Sequence, residues 1–176
     1  MPEIEVKPVF LIGFMGSGKS TLGKRLSKQT GRGFIDLDEQ IVQTAGMSIP
    51  AYFERYGEEK FRELERDCLQ TLPLTEFPIV AAGGGTPCFF DNVDWMNGHG
   101  TTVYLKLSPT ALLRRLMQGN LAARPLLSGK TEEQLLEFIR QKLREREIWY
   151  SKADNIIDAT GLTAGKLLDY LHYVNK

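Results

Sequence analysis

The 176-residue chain is poor in the residues on which several classes of protein depend. It has two cysteines, Cys68 and Cys88, too few for a disulfide framework or a tetrahedral thiolate zinc site. Reduced thiols in a cytoplasmic setting are the expectation. Its two histidines, His99 and His172, are far apart, lack ligand-like neighbours and read as surface residues. It has no net charge, because 22 basic side chains balance 22 acidic ones. That balance argues against a general nucleic-acid binder or a membrane-surface binder. No apolar run approaches the length of a membrane span, and the acidic, polar first residues do not resemble a secretory signal. What is present is 42% hydrophobic residues with charges of both signs, the composition of a folded domain. One domain over residues 1–176 is expected.

The most informative segment is residues 13–21, Gly-Phe-Met-Gly-Ser-Gly-Lys-Ser-Thr, which follows the apolar run Val9-Phe10-Leu11-Ile12. This is G-x-x-x-x-G-K-S between a strand and a helix, the phosphate-binding loop. Its glycines let backbone N–H groups point inward at an anion. The helix that follows adds the positive end of its dipole. In such a loop Lys19 reaches the outer phosphates of a nucleoside triphosphate and Ser20 ligates its magnesium.

Elsewhere, strand patterns alternate with helical ones. Strands are expected at 9–12, 33–36, 79–82, 101–107 and 155–159. Helices are expected at 20–30, 38–45, 49–56 and 58–72, then from 109, from 131 to about 152, and over 163–174. The alternation predicts an α/β fold with a five-stranded parallel sheet covered by helices on both faces, its ligands at the carboxyl ends of the strands. Residues 119–130 are broken by Gly and Pro and fit no regular element, which is the pattern of a lid.

Several polar groups fall at those strand ends. Asp36-Leu37-Asp38 either serves magnesium and a substrate hydroxyl or is simply an acidic helix start. Ile79-Val80-Ala81-Ala82 runs into Gly83-Gly84-Gly85, where the entropic cost of three glycines points to close approach of a ligand to the main chain. No apolar strand ends in the Asp of the usual second nucleotide motif, so Asp36 is the best substitute as magnesium's second partner. Arg62 and Glu65 lie one turn apart and suit an ion pair. Arg124 lies in the irregular loop, and Arg144 and Arg146 lie in a charged helix. Arginine's fork also suits capture of a carboxylate or phosphate.

The ordered set of these motifs resembles the shikimate kinase family over essentially the whole chain. The residues that carry the likeness are Ile12 through Thr21, Asp36-Leu37-Asp38, Phe61-Arg62-Glu63-Leu64-Glu65, Gly83-Gly84-Gly85, Arg124-Pro125-Leu126-Leu127, and Arg146 with Tyr150. The resemblance implies transfer of a phosphoryl group from ATP to the 3-hydroxyl of shikimate, in the route to chorismate and aromatic amino acids. It implies the three-layer P-loop kinase fold with strand order 2-3-1-4-5, a substrate-binding region at about 37–64 and a lid at about 119–130. ATP and its Mg2+ would be held by Gly16, Ser17, Gly18, Lys19, Ser20 and Thr21, with Arg115 against the adenine and Asp36 near the metal. Lys19, Asp36 and Arg124 would be catalytic. Asp38 would bind shikimate hydroxyls, Arg62 and Arg146 would clamp its carboxylate, and Gly83, Gly84 and Gly85 would wall its pocket. A monomer acting without nucleic acid or membrane is expected. The chain departs from the pattern near residues 160–163, which lack an arginine that some members carry. A related kinase acting on gluconate, or a non-catalytic ATP-binding module, is the alternative.

Overall fold

A computed structural model of the chain describes residues 7–76, 78–119, 127 and 129–174. Its elements are β1 (Val9–Ile12), α1 (Lys19–Thr30), β2 (Phe34–Asp36), α2 (Leu37–Ala45) and α3 (Ile49–Gln70). There follow β3 (Ile79–Ala81), a 3-10 turn (Thr86–Cys88), α4 (Asn92–His99), β4 (Thr101–Lys106), α5 (Pro109–Gln118), α6 (Glu132–Tyr150), β5 (Asn155–Asp158) and α7 (Ala164–Val174). The five strands form one parallel sheet in the order β2-β3-β1-β4-β5, as the motifs imply. Their register levels the carboxyl ends: Asp36 pairs with Ala81, Leu11 with Ala81, and Ile12 with Tyr104. The segments that leave those ends are therefore neighbours in space.

The helix boundaries follow local chemistry. Gly31 and Gly46 end α1 and α2 in the left-handed conformation, with φ of 71° and 66°. Ser48 and Ser108 cap α3 and α5 by accepting from Ala51 N and Ala111 N. Thr131 and Gln134 form the expected capping box at the start of α6. The two helices expected at 49–56 and 58–72 are both present within α3 and meet at a kink at Gly57, whose φ of 81° and ψ of 173° are not helical. α2 begins at Leu37, one residue earlier than its pattern suggests, because Asp36 accepts from Asp38 N and Glu39 N and caps it. α4 is absent from the sequence reading. Its eight residues have no apolar periodicity, and tertiary contacts hold it instead: Val93 and Met96 are buried, and Asn92 Nδ2 donates to Thr86 O at 2.9 Å.

Alternate residues of the central strands feed two cores. Val9, Leu11, Val103 and Leu105 pack with Leu22 and Leu26 of α1, Leu112 and Leu116 of α5, and Leu167 and Leu171 of α7. Phe10, Ile12, Val80 and Tyr104 pack with Ile41 of α2, Phe61 and Leu69 of α3, and Met96 of α4. The strongly apolar β1, with all four residues buried, is what a parallel strand covered on both faces requires. α6 belongs to both layers. Leu135 and Ile139 lie in the first core, Tyr150 lies in the second, and Leu143 touches each. Among the described residues, no helix is long and apolar enough to cross a membrane.

One close backbone approach sets the start of β4. A Cβ at Gly100 would fall 2.5 Å from Pro8 O, the carbonyl that accepts from Thr101 N at 2.8 Å. Gly100→Ala should therefore cost about 1–3 kcal/mol through overpacking, lowering the melting temperature by roughly 2–4 °C per kcal/mol. A thermal melt of the variant that overlays the parent would contradict this packing.

Candidate active site

The carboxyl ends of β1, β2 and β3 open into a cavity of about 590 Å³. On one side is the loop after β1. Gly18 caps α1 with φ of 96°, a conformation suited to glycine, and turns the helix's first N–H groups toward the cavity. Lys19 is 9% exposed, and its Nζ donates to Gly13 O at 2.8 Å and Phe14 O at 3.1 Å, closing the loop on itself. Gly16, Ser17, Ser20 and Thr21 line the same cavity. Arg115, on α5, donates to Ser17 O at 2.9 Å and to Ala159 O at 3.3 Å. It thereby bridges the phosphate loop and the segment after β5.

Asp36 uses its two oxygens separately. Its Oδ1 accepts from Asp38 N at 3.1 Å as the cap of α2. Its Oδ2 accepts from Ser20 Oγ at 2.6 Å. A hydroxyl and a carboxylate in contact form an oxygen-only donor set, which suits magnesium when phosphate oxygens complete the shell. Among the described residues, no group of three or more His, Cys, Asp or Glu could hold a metal unaided.

The opposite side is built on Gly83-Gly84-Gly85. A Cβ on Gly83 would fall 3.0 Å from Asp38 Oδ1 and 3.1 Å from Glu65 Oε1. One on Gly85 would fall 2.8 Å from Arg62 Nη1 and 2.9 Å from Nη2. One on Gly84 would lie 3.4 Å from Met15 N and 3.5 Å from Arg146 Nη1. The missing side chains are what bring α2, α3, α6 and the phosphate loop to one wall.

Glu65 organises α3's part of that wall. It is 1% exposed, accepts from Thr86 Oγ1 at 2.6 Å, and pairs with Arg62 Nη1 at 2.8 Å. Tyr150 is fully buried, and its hydroxyl donates to Gly84 O at 2.5 Å. Two guanidinium atoms keep unused capacity. Arg62 Nε and Arg146 Nη1 are buried with no hydrogen-bond partner among the described residues. Arg144 instead pairs with Glu137 on the exposed face of α6.

Asp38 is open to the water of the cavity but enclosed by protein on its other sides. That enclosure, then the charges of Asp36 and Glu65, push its carboxyl up to about 6 against the pull of Lys19 and Arg62. Its folded value lies above the unfolded 3.8, so its contribution to stability is complete below the unfolded value and is lost as pH rises through about 6.

The structure thus gathers Lys19, Ser20, Asp36, Asp38, Arg62, Gly83, Gly84, Gly85 and Arg146 around one cleft, with Arg115 at its edge. Arg124 and most of the segment 119–130 lie outside the described residues. Sequence reasoning missed Glu65 as an organiser, although its spacing to Arg62 was legible. It also missed Thr86 and Phe89, whose places depend on the turn after the glycines.

Residues 15–172 match the shikimate kinase family. The chain belongs to that family. Shikimate kinase of Parabacteroides distasonis is 45% identical over 154 residues, 88% of this chain and 88% of that protein. The crystal structure of shikimate kinase from Bacteroides thetaiotaomicron is similar with a TM-score of 0.89 and 35% identity, covering 97% of this chain and 99% of that one. Shikimate kinase from Acinetobacter baumannii, solved in complex with shikimate, has a TM-score of 0.81 and 31% identity over 97% of this chain and 93% of that one.

The pair on α3 gives a stability test. Removing Glu65 leaves Arg62, 12% exposed, without its buried partner. Glu65→Ala should cost about 3–5 kcal/mol in denaturant unfolding, well beyond the change expected from Glu63→Ala on the exposed side of the same helix. Equal costs for the two variants would refute the buried-pair account.

Proposed function

We propose that this chain transfers the γ-phosphoryl group of ATP to the 3-hydroxyl of shikimate, giving shikimate 3-phosphate and ADP on the route to chorismate and aromatic amino acids. The observation that carries the reading is the position of Gly84. Its Cα edge faces the phosphate loop at Met15 N and Gly13 O on one side and Arg146 Nη1 on the other. An acceptor held at the glycine wall is therefore beside a donor held in the loop.

The division of labour follows from the groups present. Gly16, Ser17, Gly18, Lys19, Ser20 and Thr21 bind the triphosphate of ATP, Lys19 exchanging its loop carbonyls for phosphate oxygens. Ser20 and Asp36 would hold Mg2+, which when bound neutralises phosphate charge. Arg115 borders the adenine. Arg62 and Arg146 grip the carboxylate of shikimate with their unused N–H groups, and Asp38 accepts hydrogen bonds from its hydroxyls. Gly83, Gly84 and Gly85 form the wall against which the ring lies. Asp36 would orient the attacking hydroxyl or take its proton. Positioning and charge neutralisation supply most of the catalysis in such a transfer. Arg124 would add its charge from the lid at 119–130, whose closure excludes water and suppresses ATP hydrolysis. The proposed working unit is one domain acting as a monomer. Free Cys68 and Cys88 suit a cytoplasmic enzyme.

The direct test is release of ADP from ATP with shikimate, with gluconate and with neither. Only shikimate should stimulate it; stimulation by gluconate instead would replace the assigned acceptor. Lys19→Ala should lower kcat by about a hundred- to a thousandfold. Arg146→Ala should raise the shikimate KM by about 30-fold or more, with the ATP KM little changed; an unaltered shikimate KM would remove Arg146 from the clamp.

The carboxylate of Asp38, not the acid, accepts hydrogen bonds. kcat/KM for shikimate should therefore fall about tenfold per pH unit below an apparent value near 6. A profile flat down to pH 5 would contradict the assignment.

A further inference from the structure

Arg62 is held by more than its carboxylates. Its guanidinium lies 4.0 Å from the ring centroid of Phe89, with Phe61 at 5.1 Å and Phe53 at 6.0 Å. Nη1 and Nη2 are tied to Glu65 at 2.8 Å and Glu58 at 3.3 Å. Residues 85–89 wrap this one group. Gly85 stands at its edge, the 3-10 turn follows, and Phe89 brings the chain back beneath its face.

The next residue shows that this return is specified. Phe90 has φ of 50°, the left-handed conformation, which is costly for a bulky L-residue. It is 51% exposed, so core packing does not account for the strain. Its ring lies 4.5 Å from the guanidinium of Arg66, one helical turn beyond Arg62 on α3. Two successive aromatic residues thus meet two successive arginines on one stripe of α3.

We infer that Phe89 is a positioning residue for the acid-binding arginine, and that Phe89 and Phe90 together clasp α3 to the glycine wall. The inference rests on reading Arg62 as half of the carboxylate clamp. Hydrogen bonds to Glu65 and Glu58 fix two edges of the fork but leave it free to tilt about the line joining them. A ring against one face removes that tilt, through cation–π attraction and by excluding water. A bidentate grip on a planar carboxylate needs the fork's plane defined as well as its charge. The ring supplies that plane without competing for any N–H group, and Nε keeps no hydrogen-bond partner among the described residues.

The test is steady-state kinetics on full-length enzyme. Phe89→Leu keeps an apolar side chain and loses the π face. It should raise the shikimate KM by about 3- to 10-fold, with kcat and the ATP KM within about twofold. Phe89→Tyr, which restores the face, should return the KM to the parent value. In an Arg62→Ala background, Phe89→Leu should add nothing, because the ring acts through the missing group. A general packing defect would instead persist in that background and overturn the inference. A parent-like shikimate KM in Phe89→Leu would also overturn it. Should the leucine variant melt below the assay temperature, Phe89→Met takes its place under the same criteria. The Arg62→Ala arm separates the two readings. If Arg62→Ala leaves the KM unchanged, the clamp falls and the inference with it. If Arg62→Ala raises the KM and Phe89→Leu does not, only the inference falls.

Discussion

The site depends on main chain standing where side chains would otherwise be. At Gly83 a Cβ would lie 2.8 Å from Thr86 Oγ1, 3.0 Å from Asp38 Oδ1 and 3.1 Å from Glu65 Oε1, and at Gly85 2.8 Å from Arg62 Nη1, so a side chain at either position would displace the polar groups that meet there. That close approach lets Glu65, Arg62 and Asp38, from two helices, converge on the end of one short strand. The same constraint acts at Gly84, which lies between the phosphate loop and α6. The glycine run is therefore a packing device first. Its entropic disadvantage in the unfolded chain is offset by the contacts made on either side of it.

Convergence creates an electrostatic problem that the residues solve by pairing. Asp36, Asp38 and Glu65 stand close enough to raise the carboxyl of Asp38, while Lys19 and Arg62 pull it down. Ser20 and the first turn of α2 satisfy Asp36, and Thr86 and Arg62 satisfy Glu65. Asp38 is left as the acid facing the cavity with least support. A buried charge with no partner is expensive, but one that faces a cleft can be completed by a ligand. On the proposed reading, hydroxyl donors of the acceptor supply that completion. The molecule thus reserves its unsatisfied groups, Asp38 on one side and the free guanidinium N–H groups on the other, for the place where an acid bearing hydroxyls fits.

Much of this was legible in the chain because it follows from local rules. The phosphate loop, the strand alternation, the glycine stops at Gly31 and Gly46 and the capping box at Thr131 are written in adjacent residues, and each formed as expected. The spacing of Asp36 could not separate capping from a contact with the phosphate loop, since one carboxylate oxygen caps α2 and the other accepts from Ser20. α4 escaped because its stability comes from burying Val93 and Met96 against strands distant in sequence. The environment of Arg62 escaped for a related reason. Its i,i+3 partner Glu65 can be read from helical geometry. Phe89 arrives from 27 positions further along (89 less 62), through a turn and a strained backbone angle that no periodicity announces.

The two arginines at the wall differ in a way that bears on how the cleft works. Arg62 is fixed by carboxylates on two edges and rings around it, on the same long helix that carries Glu65. Arg146 lies 5.5 Å from the ring of Phe14, its Nη1 buried and without a hydrogen-bond partner among the described residues, on a helix that spans both cores. The segment 119–130 joins α5 to α6. Its ends thus lead to Arg115, which bonds the phosphate loop, and along α6 to Arg146 at the wall. A rigid arginine suits a group that must define where the acid sits before anything else happens. On the proposed reading the acceptor is located by α3, and α6 completes the grip from the other side of the glycine wall.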